Sequence, residues 1–206
     1  MIDPLVLLAF IPASLALNLT PGADMVFCLG QGLRSGPRSA LAASAGISLG
    51  GIVHTGLAGL GLGAVVAALP WLFDLIRWVG VGYLLWLAWT SIRGGALARD
   101  VPAVAAGAAF RNGLMVNLAN PKVILFVLAF VPQFTDPAAG PILVQFLIFG
   151  MILAIGGFVI NGLVGVFASG LGRRLTGSVG IGRALGWISG SIFAALAVRL
   201  AILERA

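Results

Sequence analysis

Two short stretches concentrate the residues able to handle charge and hydrogen bonds. Asn18-Leu19-Thr20-Pro21-Gly22-Ala23-Asp24 lies in the first half, and Asn117-Leu118-Ala119-Asn120-Pro121-Lys122 in the second. Each sets a proline and an ionisable side chain inside an apolar run. Proline removes a backbone donor and clashes with the preceding turn. In lipid the freed carbonyls need partners, so such a break survives only inside protein or beside a cavity. A carboxylate near mid-bilayer costs about 2.5–3.5 kcal/mol on insertion scales, which makes Asp24 the leading functional candidate. A carboxyl balanced between burial and a nearby cation can load and release a proton; it can also pair with an ammonium. A structural ion pair is the plainer account. Lys122 can hold Asp24 in an empty site or meet a substrate carboxylate, or its stem can reach the headgroups. Asn18, Asn117 and Asn120 can bind a solute, the freed carbonyls, or one another as interhelical glue. Half-helix N-termini at Gly22 and Lys122 offer N–H groups to a carboxylate, and the preceding half-helix ends offer carbonyls to an ammonium.

Two further residues bear on chemistry. His54 is the one histidine. It is either a proton relay, given an unperturbed pKa near 6.5, or a hydrogen-bonded packing residue. Cys28 is the one cysteine, which excludes an intramolecular disulfide or a Cys-x-x-Cys pair. No set of metal ligands, cofactor motif or catalytic constellation is present, so no metal site, no cofactor and no enzyme are expected. Asn161 reads as glue.

The elements that must position these residues are membrane spans. The 206 residues are 60% hydrophobic and 9% charged, against about a quarter charged in soluble domains. Mean hydropathy is +1.12. A span needs roughly 20 apolar residues. Six such runs emerge, at about 5–32, 39–69, 71–92, 112–134, 142–171 and 183–202. The first is interrupted at Pro21 and the fourth at Pro121. Residues 94–109 read as a loop and 135–141 as a turn. The opening residues lack a basic n-region, so the first run is taken as a retained helix. The net charge of +6 sits in short loops, where it reports topology and not nucleic-acid binding. Arg34, Arg38, Arg93, Arg99, Arg111, Arg173, Arg174 and Arg183 fall on one side, against Arg77, Arg199 and Arg205 on the other. The first set should face the cytoplasm, with both termini outside.

The halves resemble each other. Gly50-Gly51-Ile52-Val53-His54-Thr55-Gly56-Leu57 and Gly156-Gly157-Phe158-Val159-Ile160-Asn161-Gly162-Leu163 agree at five of eight positions. The prolines lie 100 residues apart and these glycine motifs 106, so a single gap reconciles them. Repeat one covers about 1–93 and repeat two about 110–206 of a single transmembrane domain. A three-span unit must insert upside down in its second copy. Inverted repeats with matching helix breaks are a secondary-transporter signature, with the site at the midplane. Glycines at four-residue spacing (Gly46/Gly50, Gly59/Gly63, Gly182/Gly186/Gly190) mark close helix contacts, within the chain or in a homodimer.

Leu19-Thr20-Pro21-Gly22-Ala23-Asp24-Met25, the Gly50-to-His54 spacing, and Asn120-Pro121-Lys122 with Phe126, Ala129, Phe130, Pro132, Gln133 and Phe134 resemble the LysE/RhtB family of amino-acid exporters. The homoserine/threonine branch is the nearer likeness. The resemblance implies export of amino acids from the bacterial cytoplasm across the inner membrane, driven by proton antiport. Asp24 and His54 are then the proton-coupling candidates. Asn18, Pro21, Gly22, Asp24, Asn117, Asn120, Pro121 and Lys122 are the substrate-binding candidates. Ala23 stands where family members commonly carry a second proline. The competing readings are a passive pore or a metal-ion exporter, which scarce acidic and histidine residues disfavour. A membrane thiol electron carrier would need a second cysteine. The charge bias makes a direct prediction. A C-terminal reporter active only in the cytoplasm should stay silent on a well-folded fusion, and activity would reverse the orientation.

Overall fold

The computed structural model describes residues 2–68 and 103–171, plus scattered helical positions between Leu75 and Arg93 and between Trp187 and Ala201. Apart from those positions, the third and sixth expected spans lie outside the described residues, as do the 5–6 loop arginines. Helices α1 (Pro4–Leu19), α2 (Ala23–Ser35), α3 (Pro37–Ala68), α4 (Ala106–Leu118), α5 (Pro121–Phe130) and α6 (Ile142–Leu171) follow in order. No strand occurs among the described residues.

Helices α3 and α6 are each long and apolar enough to cross a membrane. The pairs α1/α2 and α4/α5 each pass the same test as one broken span, bent by 56° and 53° respectively. The breaks fall at the two prolines. Thr20 and Asn120 both take extended backbone, at φ/ψ of −69°/118° and −83°/105°, because the ring of a following proline disfavours the helical region. Pro121 then opens α5, where its missing N–H is no loss. At the first break α2 starts at Ala23, and the bend there is as sharp as at the second. A second proline is therefore not needed to produce it. One expectation changes: the 94–109 stretch is not loop throughout, since α4 begins at Ala106. The 135–141 turn contains a short 3-10 helix, Pro137–Ala139.

Two interiors flank the breaks. On the α1 side, Phe10 meets Phe149 at 4.8 Å and Phe134 at 5.2 Å between ring centroids. Phe126 and Phe130 extend this cluster along α5, 5.0 Å apart. The scattered positions Val81, Ala88 and Ala197 join the same core. The α2 side is built mostly from small residues, Cys28, Ala43 and Ala109, with Ile47. Here glycines bring backbones together. A Cβ on Gly32 would strike the Gly165 carbonyl, one on Gly46 the Phe110 carbonyl, and one on Gly113 the Ala43 carbonyl. Gly59 similarly faces Leu143 and Phe146. Close approach is what small residues provide in lipid, where apolar burial alone does not drive helices together. Leu57, Leu60, Ile155 and Phe167 point outward, as expected for lipid-facing surface.

These contacts separate two kinds of glycine. Gly32→Ala sets a methyl against backbone that has no soft atom to yield, and should destabilise by about 1–3 kcal/mol. Gly61 faces open space, so Gly61→Ala should be neutral or stabilising by about 0.5–1 kcal/mol. Thermal melts of the two purified variants test the contrast.

Candidate functional site

Each break leaves a specific carbonyl without its helical donor. In an α-helix the N–H of residue i bonds the carbonyl of residue i−4. Pro21 cannot serve Leu17, and Pro121 cannot serve Asn117. Lys122 Nζ takes the first place, donating to Leu17 O at 3.1 Å and Thr20 O at 3.0 Å. The Asn117 carbonyl is met locally by Asn120 N at 2.9 Å, and His54 adds a second contact, with Nε2 3.2 Å from Asn117 O. A carbonyl only accepts, so the ring carries its proton on Nε2 in this contact. A basic side chain from elsewhere in the chain thus reaches each broken helix end, where the backbone dipole favours positive charge.

The second link runs the other way. Asp24 stands in the first turn of α2, and its carboxylate accepts two amides from the opposite break. Asn117 Nδ2 donates to Oδ2 at 2.9 Å, and Asn120 Nδ2 donates to Oδ1 at 3.0 Å. Asn120 is also the N-cap of α5, its Oδ1 accepting from Lys122 N at 3.1 Å. Both ends of that amide are therefore fixed. Asp24, Asn117, Asn120 and Lys122 are all buried, at 3–8% exposure. Lys122 consequently does not reach the headgroups. Nor do Lys122 and Asp24 hydrogen-bond one another; each spends its contacts on the other's helix pair.

Glycines make room for this exchange. A Cβ on Gly22 would lie 3.0 Å from Lys122 Nζ, and one on Gly50 would lie 2.6 Å from Asn117 Oδ1. Asn18 sits on the corresponding pair of the other half: Cβ atoms on Gly156 and Gly157 would lie 2.9 Å from its Nδ2 and 3.2 Å from its Oδ1. Its Nδ2 donates to Leu153 O at 3.1 Å.

Asn18, Asp24, Asn117 and Lys122 line one cavity between the breaks, walled by α3 and α6. It holds about 430 Å³ of space, open mouth included. Asn120 and His54 stand behind its wall. Gly22 and Pro21 shape the break without lining the cavity. The N-terminus of α5 is not open to a carboxylate, because Asn120 caps it. That of α2 has no side-chain cap. Sequence reasoning passed over Ser48 and took Asn161 for glue, yet both line the same cavity. The signal for Asn161 was its spacing: with Leu153, Ala154 and Gly157 it marks a single face of α6.

A family model for the LysE type translocator matches residues 15–204. The chain belongs to the LysE type translocator family. It is a helical, multi-pass membrane protein. Among similar proteins, a homoserine/homoserine lactone efflux protein of Salmonella typhimurium is 35% identical over 147 residues, 69% of this chain and 70% of that protein. A leucine efflux protein of Klebsiella pneumoniae is 29% identical over 201 residues, 96% and 95% of the two chains. An uncharacterized membrane protein of Vibrio cholerae is 35% identical over 133 residues, 63% of this chain and 65% of that one. No solved structure matches.

The crossed arrangement predicts coupling between two charges that do not touch. Lys122→Met leaves Asp24 a buried charge with its two amides but no nearby cation, strips the Leu17 and Thr20 carbonyls of the ammonium, and should lower thermal stability markedly. Adding Asp24→Asn should restore part of the loss, giving an interaction energy of about 0.5–3 kcal/mol in a double-mutant cycle. Strict additivity would refute the coupling.

Proposed function

We propose that this protein is a secondary carrier that exports amino acids from the bacterial cytoplasm across the inner membrane, by proton antiport with alternating access. The observation that carries the reading is the meeting of two broken spans at one buried cavity holding Asp24 and Lys122. Irregular backbone at membrane depth is tolerated beside a cavity, and intramembrane ionisable groups mark solute and proton paths. The names of the Salmonella and Klebsiella relatives supply the solute class.

In this reading the chain is two inverted three-helix repeats with both termini outside. Support comes from the near-equal bends, and from Gly50 receiving Asn117 of the second half while Gly156 and Gly157 receive Asn18 of the first. The zwitterion binds between the breaks. Its carboxylate suits the uncapped start of α2 and the Lys122 ammonium. Substrate contacts then compete with the hydrogen bonds that tie the two breaks together. Rocking of one repeat against the other exposes the cavity alternately to the two sides. Asp24 carries the returning proton: neutralising it weakens its hold on the Asn117 and Asn120 amides, which links protonation to the separation of the breaks. His54, on the Asn117 carbonyl, stands where it can sense that movement.

The test is efflux from loaded proteoliposomes against an amino-acid panel, with and without an imposed pH gradient. The wild type should export at least one amino acid faster with the gradient. Asp24→Asn should insert normally and lose the gradient-driven component. Undiminished gradient-driven flux in that variant removes Asp24 from the proton path, and flux that ignores the gradient and protonophores points to a pore.

A further inference from the structure

Four buried side-chain oxygens lack a hydrogen-bond partner among the described residues: Ser48 Oγ, Asn117 Oδ1, Gln133 Oε1 and Asn161 Oδ1. Three of these four, all but Gln133, belong to residues lining the cavity between the breaks. Buried polar groups are almost always paired, and an acceptor left without a donor carries a free-energy penalty. Three at one cavity are a pattern and not scatter. They come from three helices, α3, α4 and α6.

Their chemistry is one-sided. Asn117 must turn its NH₂ toward the Asp24 carboxylate, which it meets at 2.9 Å; its oxygen is therefore committed to the other side, over Gly50. Asn161 is 4% exposed and lies on the cavity face of α6. The position matching it in the first half is Thr55, whose hydroxyl is satisfied within its own helix by Gly51 O at 3.1 Å and Ile52 O at 3.0 Å. An asparagine oxygen has no such recourse, because it cannot donate to a carbonyl. What the two amide oxygens lack is donors, and the Ser48 hydroxyl can accept a further one.

We infer that Ser48, Asn117 and Asn161 form the subsite for the substrate's primary ammonium, with Asn161 its specificity-determining member. A primary ammonium has three N–H donors and no acceptor, which suits two amide oxygens and a hydroxyl oxygen on residues that line one cavity from three helices. The inference rests on the exporter reading and deepens it. It places the ammonium away from the Leu17 and Thr20 carbonyls, which Lys122 already occupies. It also makes the amino group, and not the side chain, the feature the carrier demands. Closing the cavity without an ammonium would leave these oxygens unpaired, so the subsite favours closure over cargo.

The experiment compares L-leucine and L-homoserine with 2-hydroxy-4-methylpentanoate, which replaces leucine's ammonium by a hydroxyl. Two readouts apply: competition for efflux from proteoliposomes, and the ligand-induced rise in Tm of the detergent-purified protein. The wild type should prefer the amines. Asn161→Leu should shrink that preference about tenfold or more, while Asn161→Asp, which keeps the acceptor, should retain it. Ser48→Ala should shrink it in the same direction, and stands in if Asn161→Leu does not fold. A purely structural role for Asn161 would lower the Tm of the free protein and leave the amine preference unchanged; that result, in Asn161→Leu and Ser48→Ala alike, overturns the subsite. Loss of preference in Asn161→Asp overturns the acceptor role. A wild type that exports no amino acid and is stabilised by none overturns the exporter reading itself, and the subsite with it.

Discussion

A proline in a membrane helix leaves the carbonyl four residues earlier without its donor, and lipid offers no replacement. The rest of this structure depends on how those two carbonyls are satisfied. Leu17 O receives the Lys122 ammonium; Asn117 O accepts from Asn120 N of its own span and is also met by the His54 ring. Both side chains come from outside the helix end they reach. Lys122 belongs to the other broken span, and His54 to α3. The first break can therefore be buried only when the second broken span is in place against it. The same reasoning accounts for Asp24, whose carboxylate depends on amides that straddle the opposite proline. Local backbone disruption has become long-range connection.

Such connections need helices to approach more closely than ordinary side chains permit. Glycine supplies the space at each crossing. Gly22 admits the lysine ammonium, Gly50 admits Asn117, and Gly156-Gly157 admit Asn18. Farther toward the α2 side, Gly32, Gly46 and Gly113 set backbone directly against backbone. The α1 side is filled differently, with Phe10, Phe126, Phe130 and Phe149 fully buried. The polar centre thus lies between an aromatic interior and a small-residue interior. Bulky rings can repack around one another, whereas glycine contacts are flat and permit sliding.

Backbone and charge follow different rules here. The bends are nearly equal, and the freed carbonyls sit at matching places before the two prolines. The side chains are not equivalent: one half brings the acid, and the other brings the lysine and the two amides that hold it. Counted from the two prolines, Lys122 holds the place that Gly22 holds in the first half, and its ammonium packs directly over that glycine. A symmetric pair of lysines or of carboxylates at this depth would place like charges together in a low-dielectric interior, where repulsion is strong. One acid and one base can instead share the cavity.

Much of this was legible in the sequence. Apolar run length marks α3 and α6, since lipid thickness dictates it. The prolines locate both breaks to the residue, because the ring acts on its immediate neighbours. Intramembrane charge singles out Asp24 and Lys122, and family resemblance follows from the motifs around them. Partnerships were not legible. Lys122 was expected at Asp24 or at the headgroups and is found on α1 carbonyls. The α5 N-terminus was expected to be open and is capped by Asn120. His54 was weighed as a relay or as a hydrogen-bonded packing residue without its partner, Asn117 O, being foreseen, and Asn161 was taken for glue. The start of α4 at Ala106 was missed because alanine and glycine there give no apolar period to read. The physical reason is the same throughout. Chain-local effects such as proline sterics and hydrophobic length act over a few residues and leave a mark in the sequence. Which distant donor reaches a freed carbonyl is decided by helix packing, which depends on all the contacts at once.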